Sequence, residues 1–165
     1  MEHDQREFAE FYAVAWDDCL RIVVVSVGDG ALAEDLVAEA FTKAWASWRK
    51  VRGLAEPRAW VIRVALNAHV SWWRRHRREV ALGSHDATAT TSQGTGLDSS
   101  LVAALRRLPL RQRQVIALRL LLDLDTATTA EMLGMSASTV TTHLHRAVAA
   151  LRRDIPARND QETVR

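Results

Sequence analysis

Nine lysines and arginines fall between residues 49 and 78, in RKVRGLAEPRAWVIRVALNAHVSWWRRHRR, against one acid, Glu56. They are Arg49, Lys50, Arg52, Arg58, Arg63, Arg74, Arg75, Arg77 and Arg78, and they give this stretch +8 in a chain whose formal total is +2. Charge of one sign gathered on one element is an electrostatic footprint, and a polyanion is the partner it suits. Trp60, Trp72 and Trp73 lie among the arginines. Flat aromatic faces beside cations suit unpaired bases, each stack contributing roughly 1–3 kcal/mol. Core packing competes for the same rings and is expected to take at least one of them. The chemistry in view is noncovalent capture of nucleic acid.

A second constellation lies at Ala130, Gly134 and Val140. A helix-turn-helix needs a small residue where its helices cross, a glycine where the turn takes positive φ, and a branched apolar residue on the inner face of its second helix. Met132, Leu133 and Leu144 supply further core, and Ser136 is placed to cap the second helix. Ser138, Thr139, Thr141, Thr142, His143 and Arg146 are then offered outward, to a major groove and its phosphates. Catalytic chemistry has no comparable pattern. Of the six histidines, His143 and His145 are two apart on a predicted helix and point apart, which makes a poor metal pair. There is no glycine-rich phosphate loop, no zinc spacing and no nucleophile motif. The chain reads as a non-enzyme with no cofactor and no metal.

The elements that must position these residues are helices. Seven glycines and three prolines among 165 residues are few for a turn-rich β fold, and 48% apolar content permits a packed core. Phe8, Phe11, Tyr12, Ala15, Cys19 and Ile22 or Val23 recur at three and four, predicting a helix over 5–27. The run Ile22–Val27 is β-branched enough for a strand, but no second strand offers itself. After Gly28-Asp29-Gly30, with Asp29 as a cap, residues 31–48 form an amphipathic helix. Its apolar stripe runs through Leu32, Leu36, Val37, Ala40, Phe41, Ala44, Trp45 and Trp48, with Glu34, Asp35 and Glu39 off it. A basic loop is expected over 49–56. Pro57 then opens a helix to about Arg78, with Val61, Val64, Ala65, Ala68 and Trp72 inward and Arg63, Asn67, Ser71, Arg74 and Arg75 elsewhere on its surface. Residues 79–98, rich in Gly, Ser and Thr with no period, read as a flexible linker. Beyond it come a helix over 99–108 capped by Asp98 or Ser99, an interruption at Pro109, a helix over 110–122 holding the cluster Leu120–Leu122, the helix-turn-helix, and a frayed tail over 157–165. The expectation is an all-α protein: two small helical domains, 1–78 and 99–156, joined by that linker.

Charge along the chain supports the division. Residues 1–48 carry −7 and residues 99–165 carry +4, which suggests an acidic face for a protein partner and basic faces for nucleic acid. The single cysteine, Cys19, allows no internal disulfide and reads as a buried small hydrophobe. Met1–Glu10 is polar and acidic, unlike a secretory signal, and no apolar run nears the roughly 20 residues that span a bilayer. Cytoplasmic residence without membrane insertion is expected.

Taken together, the chain resembles small bacterial sigma factors of the extracytoplasmic-function type in the sigma-70 family. AEDLVAEAFTKAWASW at 33–48 is similar to the family's polymerase-docking helix, and residues 58–78 resemble its promoter-melting helix. SWWRR at 71–75 is similar to an actinobacterial, SigE-like branch. LPLRQRQVIALR at 108–119 resembles the start of the second domain, and AEMLGMSASTVTTHLHRAVAALR at 130–152 its helix-turn-helix. The resemblance implies that Glu34, Asp35, Leu36, Glu39 and Lys43 meet core RNA polymerase on the clamp helices of its β′ subunit, with the β-subunit flap a second contact. It implies that Arg49, Lys50, Arg52, Arg58, Arg63, Asn67, Trp72, Trp73, Arg74 and Arg75 capture the −10 element as single strand. It implies that Ser136, Ser138, Thr139, Thr141, Thr142, His143 and Arg146 read the −35 element of promoter DNA, and it admits an anti-sigma factor as a partner.

The sequence departs from that family at Thr141, where a Lys is usual, and at His143, where an Arg is usual. Thr128 stands for a common Glu, Ser138 for a Gly and Ala38 for a frequent Gln. Two lost cations remove phosphate attraction from the recognition helix. No appended regulatory domain is expected after the helix-turn-helix. Two alternatives stand beside the sigma reading. One is a helix-turn-helix regulator acting independently of polymerase, which would normally be a dimer, although no dimerisation heptads are visible. The other is a sigma relative deficient in DNA reading that acts through protein contacts.

Overall fold

The structure is a computed structural model that describes residues 2–80 and 98–155, the side chains of residues 73–80 and 99 excepted. The expected linker, apart from its two ends, and the tail from 157 lie outside the described residues. Everything regular among the described residues is helical.

Helix α1, Glu2–Val27, begins earlier than the periodicity predicts and carries the β-branched run to its end. Val23, Val24, Val25 and Val27 are all buried there, so this end of the helix is covered on every side. A helix apolar all round has that destination. Tertiary burial outweighs the small loss of helix propensity at valine. Ser26, the one polar residue in the run, donates its hydroxyl to the Ile22 carbonyl at 2.8 Å. Cys19 is fully buried, and burial pushes its thiol up to about 12, which leaves it an inert packing residue.

Gly28, at φ 83°, breaks the chain. Asp29 then caps α2, Gly30–Ala46, by accepting from the Leu32 amide at 3.1 Å. The buried face of α2 is Ala33, Leu36, Val37, Ala40, Phe41 and Ala44. Trp45, expected inside, is 45% exposed and covers the surface of the core, 5.1 Å from Phe8. A single turn, α3 (Trp48–Val51), occupies the start of the expected loop because Trp48 and Val51 both reach the core. Phe8 and Phe11 bracket Trp48 at 5.2 and 5.1 Å, so that indole is a core ring.

Helix α4, Pro57–Val80, outruns the expected end at Arg78 and takes in the first two residues of the expected linker. No breaker stands before Gly83. Its buried line is Val61, Ile62, Ala65, Leu66 and His69. The expected line is corrected on two counts: Val64 and Ala68 sit half-buried at its edge, and Trp72 is 36% exposed.

Asp98, assigned to the linker, caps α5 (Ser99–Arg107) by accepting from the Ser100 amide at 2.8 Å. Pro109 precedes α6, Leu110–Ile116, which continues into a π-helical turn at Ala117–Leu121. The wider turn seats Ala117 and Leu118 in the core but leaves Leu120 and Leu121 at 58% and 38% exposure, against the expected apolar cluster. Helices α7 (Thr126–Leu133) and α8 (Ala137–Asp154) form the helix-turn-helix.

The two halves do not stand apart. Helices α1, α2 and α4 pack on one another, and α5, α6 and the π-turn close on α1 from the other side. One apolar cluster runs from Ala15 through Val61 to Val115 and Val140. At the junction, a Cβ on Gly28 would fall 2.9 Å from Arg113 Nη1, where the backbone is already left-handed. Gly28→Ala is expected to destabilise the chain by about 1–2 kcal/mol from the left-handed backbone alone, plus the cost of displacing Arg113. A lowered urea midpoint checks this.

Candidate nucleic-acid and partner surfaces

The helix-turn-helix has the geometry its residue types foretold. Gly134 takes φ 63° at the turn, Ala130 is buried where the helices cross, and Val140 is fully buried beneath α8. Ser136 caps α8, accepting from the Thr139 amide at 3.1 Å. Asp125 caps α7 through the Thr128 amide at 2.7 Å, and that bond, with the Thr128 hydroxyl, holds its carboxyl below the usual carboxylate range. Ser136, Ser138, Thr139, Thr141, Thr142 and Arg146 are exposed. Thr141 and Thr142 donate their hydroxyls back to the Ala137 and Ser138 carbonyls at 3.0 Å each. Both oxygens remain acceptors on the outer face.

His143 departs from this group. It is half-buried, and its Nδ1 is enclosed with no hydrogen-bond partner. It lines a cavity of about 760 Å³ between the halves of the chain, with His69 and Trp72 of α4 and Arg113 of α6. The sequence placed it outward because helical spacing does not reveal a neighbouring unit.

On α4 the exposed residues Arg63, Asn67 and Ser71 are four apart and form one line leading to Trp72. Trp72 stacks on His69, ring centroids 6.2 Å apart at 17°. Trp60 is half-buried against the core, the ring that packing claims. Trp73, Arg74 and Arg75 lie on the same helix, with side chains outside the described residues.

The basic loop is less bare than its charge suggests. Arg52 donates to Asp4 at 2.9 Å and to Glu7 at 2.8 Å, and the Glu7 bond leads the causes that raise its pKa. Arg49 reaches Asp4 at 3.4 Å and Arg58 reaches Asp18 at 3.0 Å. Acids of α1 thus face the cations that follow α2. Lys50 is exposed with no ion pair among the described residues. Beside it opens a cleft of about 570 Å³ walled by Trp45, Arg49 and the start of α1.

The acidic face of α2 is open. Glu34, Asp35, Glu39 and Lys43 are exposed, with Lys43 and Glu39 paired at 2.6 Å. Leu36, grouped with them for polymerase docking, is only 5% exposed. It belongs to the core, because it lies on the opposite side of the helix from Glu34.

Sequence reasoning missed a buried polar group at the junction. His69 is 5% exposed and Gln114 is fully buried, while Arg113 donates to the Arg106 carbonyl at 3.3 Å. His69 falls four residues after Ala65 on the buried line, the one signal that could have found it. Burial, and secondarily the Arg113 guanidinium, lower its pKa below the ordinary 6.5. The other titratable groups near it are Asp29, Arg111 and His143, which line the same cavity, and Arg106 beside Arg113.

Family comparisons agree with this layout. A model of sigma-70 region 2 matches residues 17–79, and one of sigma-70 region 4 matches residues 99–151. The chain is 34% identical to an RNA polymerase sigma-E factor of Streptomyces avermitilis, across 93% of this chain and 87% of that one. It is 37% identical to the ECF RNA polymerase sigma factor SigL of Mycobacterium tuberculosis, across 88% and 84%. Its fold is that of the sigma factor RpoE from Bartonella quintana, solved in complex with the anti-sigma factor NepR. The TM-score is 0.76 at 22% identity, over 90% of this chain and 96% of the other. No described helix is long and apolar enough to cross a membrane.

The lowered His69 pKa has a sign. The folded chain prefers the neutral ring, so His69 contributes stability above about pH 6.5 that is lost as pH falls and the unfolded chain takes the proton. The melting temperature is expected to drop between pH 7.5 and 5.5, and to drop less in His69→Leu, as scanning calorimetry at several pH values would show. With regions 2 and 4 in order and relatives of this identity along nearly the whole length, the chain belongs to the ECF sigma factors of the sigma-70 family.

Proposed function

We propose that this chain binds core RNA polymerase and directs promoter-specific initiation, opening the −10 element with its first half and reading the −35 element with its helix-turn-helix. The observation that carries the reading is the division of surfaces on the first half. Glu34, Asp35 and Glu39 stand exposed on α2, while Arg63, Asn67, Ser71 and Trp72 line one side of α4. An acidic helix face suits the cationic surface of a protein partner. A line of guanidinium, amide and hydroxyl leading to an indole suits an unpaired strand. The polymerase contact is assigned to Glu34, Asp35, Glu39 and Lys43, without Leu36.

Opening needs no catalytic group. Extracting bases costs a few kcal/mol, least where the duplex is weak. Stacking on Trp72 and Trp73, with phosphate pairing to Arg63, Arg74 and Arg75, offsets that. The surface pairs holding Arg49, Arg52 and Arg58 are screened by solvent and weak, so phosphates can exchange with the acids of α1. At the −35 element, Ser136, Ser138, Thr139, Thr141 and Thr142 bring hydroxyls, and Arg146 the charge. With Thr141 and His143 in place of the usual cations, the salt dependence of duplex binding should be shallow. The flap of the β subunit is assigned to the second half, where Leu120 and Leu121 are exposed. Work on polymerase and chromosomal DNA places the protein in the cytoplasm. An anti-sigma factor is a fitting regulator, as the Bartonella sigma factor was crystallised with one.

Two variants separate this reading from an independent helix-turn-helix regulator. The wild type is expected to comigrate with core polymerase on gel filtration, and Asp35→Lys/Glu39→Lys to lose that comigration. Trp72→Ala/Arg74→Ala should comigrate normally yet open promoter DNA at least ten-fold less, as permanganate footprinting would show. A wild-type chain that elutes apart from polymerase while binding duplex DNA would favour the independent regulator.

A further inference from the structure

The cavity of about 760 Å³ that His69, Trp72, Arg113 and His143 share is of the size that takes a small molecule. Its wall divides by chemistry. Val27 at the end of α1, Leu32 of α2, Val70 of α4 and Leu110 of α6 give it an apolar lining. Trp72 adds a flat ring, stacked on His69 with centroids 6.2 Å apart at 17°. A planar apolar body suits such a wall, since it can stack on the indole while the aliphatic side chains exclude water from its edges.

The polar part of the wall is mainly basic. Arg111, Arg113, His69 and His143 line the cavity against one acid, Asp29. Asp29 is already engaged as the cap of α2, accepting from the Leu32 amide at 3.1 Å. Arg111 donates to Gln114 Oε1 at 3.2 Å and to the Leu133 carbonyl at 3.5 Å. Arg113 gives Nη1 to the Arg106 carbonyl at 3.3 Å, and its Nε is enclosed with no hydrogen-bond partner. Neither guanidinium has an ion pair among the described residues.

These groups favour an anion. Burial first, and then the Arg106 charge, work against the Arg113 cation and lower its pKa. A carboxylate beside Arg113 would offset both through charge-assisted hydrogen bonds. His69 is 5% exposed and His143 half-buried, and Nδ1 of each is enclosed without a hydrogen-bond partner. Buried polar side chains in that state gain from a ligand that completes their bonding. His69, Arg111 and Arg113 have no part in the polymerase and promoter contacts assigned above, so those contacts do not account for their being gathered here.

We propose that this cavity is a binding site for a small aromatic carboxylate. The ring stacks on Trp72 among the aliphatic side chains, and the carboxylate pairs with Arg113. His69 and His143 orient it, each able to donate or accept through a ring nitrogen. The site stands on this geometry and not on the sigma-factor reading. Where that reading holds, the ligand and an unwound strand compete for one ring, Trp72, and the site gives a metabolite a direct route to initiation.

The test uses the full chain without polymerase and follows indoleacetate binding by isothermal titration calorimetry. A single site with a Kd tighter than about 0.5 mM is expected. Tryptamine presents the same ring with a positive charge and is expected to bind at least ten-fold more weakly. Arg113→Gln should weaken indoleacetate at least ten-fold. Arg152→Gln, which removes an exposed cation of α8 outside the cavity wall, should leave it unchanged. Leu110→Trp fills the cavity with no change of charge and should abolish binding, with helical circular dichroism retained. No binding by the wild type, or equal binding of acid and amine, would overturn the proposal with no variant needing to fold. Undiminished binding by Leu110→Trp would overturn it too, as would an equal loss in Arg152→Gln, which would put the anion on the general basic surface. Comigration of the wild type with core polymerase tests the sigma function separately, and its success beside failed indoleacetate binding would remove this site and leave that function standing.

Discussion

The end of α1, residues 22–27, has no face to give to water. All six of these residues are buried, and Val23, like Cys19 one turn before it, is fully enclosed. Such a helix must be covered on all sides, and each fully buried aliphatic side chain contributes roughly 1.5–3 kcal/mol. Helices α2 and α4 cover two sides, and α5, α6 and the π-turn cover the rest. The exposed surfaces follow from this constraint. Once α2 turns Leu36, Val37 and Ala40 toward α1, Glu34, Asp35 and Glu39 must face solvent. Once α4 turns Val61, Ala65 and His69 inward, Arg63, Asn67 and Ser71 fall in line outside.

Electrostatics follows the same packing. The acids and bases are segregated along the chain, but α1 runs past the turn after α2, so Asp4, Glu7 and Asp18 meet Arg49, Arg52 and Arg58. These pairs are solvent-exposed and screened, which makes them suited to orienting the loop without fixing it. On α2, Glu34 and Asp35 stay exposed outside this arrangement, and Glu39 pairs with Lys43 of its own helix.

The departures from the family pattern acquire a structural meaning in the same way. Thr141 and Thr142 are exposed but spend their hydroxyl protons on their own helix. His143 is turned toward the first half and shares a cavity with Trp72. A long cation at His143 would project into that junction beside Arg113. The shorter imidazole of His143 fits within the junction.

Sequence alone determined the helical class, the caps and the turn. Asp29, Asp98, Asp125 and Ser136 cap helices because a short polar side chain satisfies an amide two or three residues on, and Gly134 takes positive φ because it has no Cβ. These are local interactions, legible in a few adjacent residues. The line Arg63–Asn67–Ser71 and the acids of α2 were legible for a related reason, since periodicity puts them off the apolar face. Tertiary structure decided which apolar residues were truly inside. Trp45, Trp72, Leu120 and Leu121 stayed partly out, while the polar His69 went in. It also decided the partners of Arg52 and Arg63, 48 residues from Asp4 in the first case. Such contacts depend on which distant surface a helix face meets, and no spacing within the helix encodes that. The burial of His143 against the first half is of the same kind, fixed by the need of the valines on α1 for a cover that α2 and α4 alone do not supply.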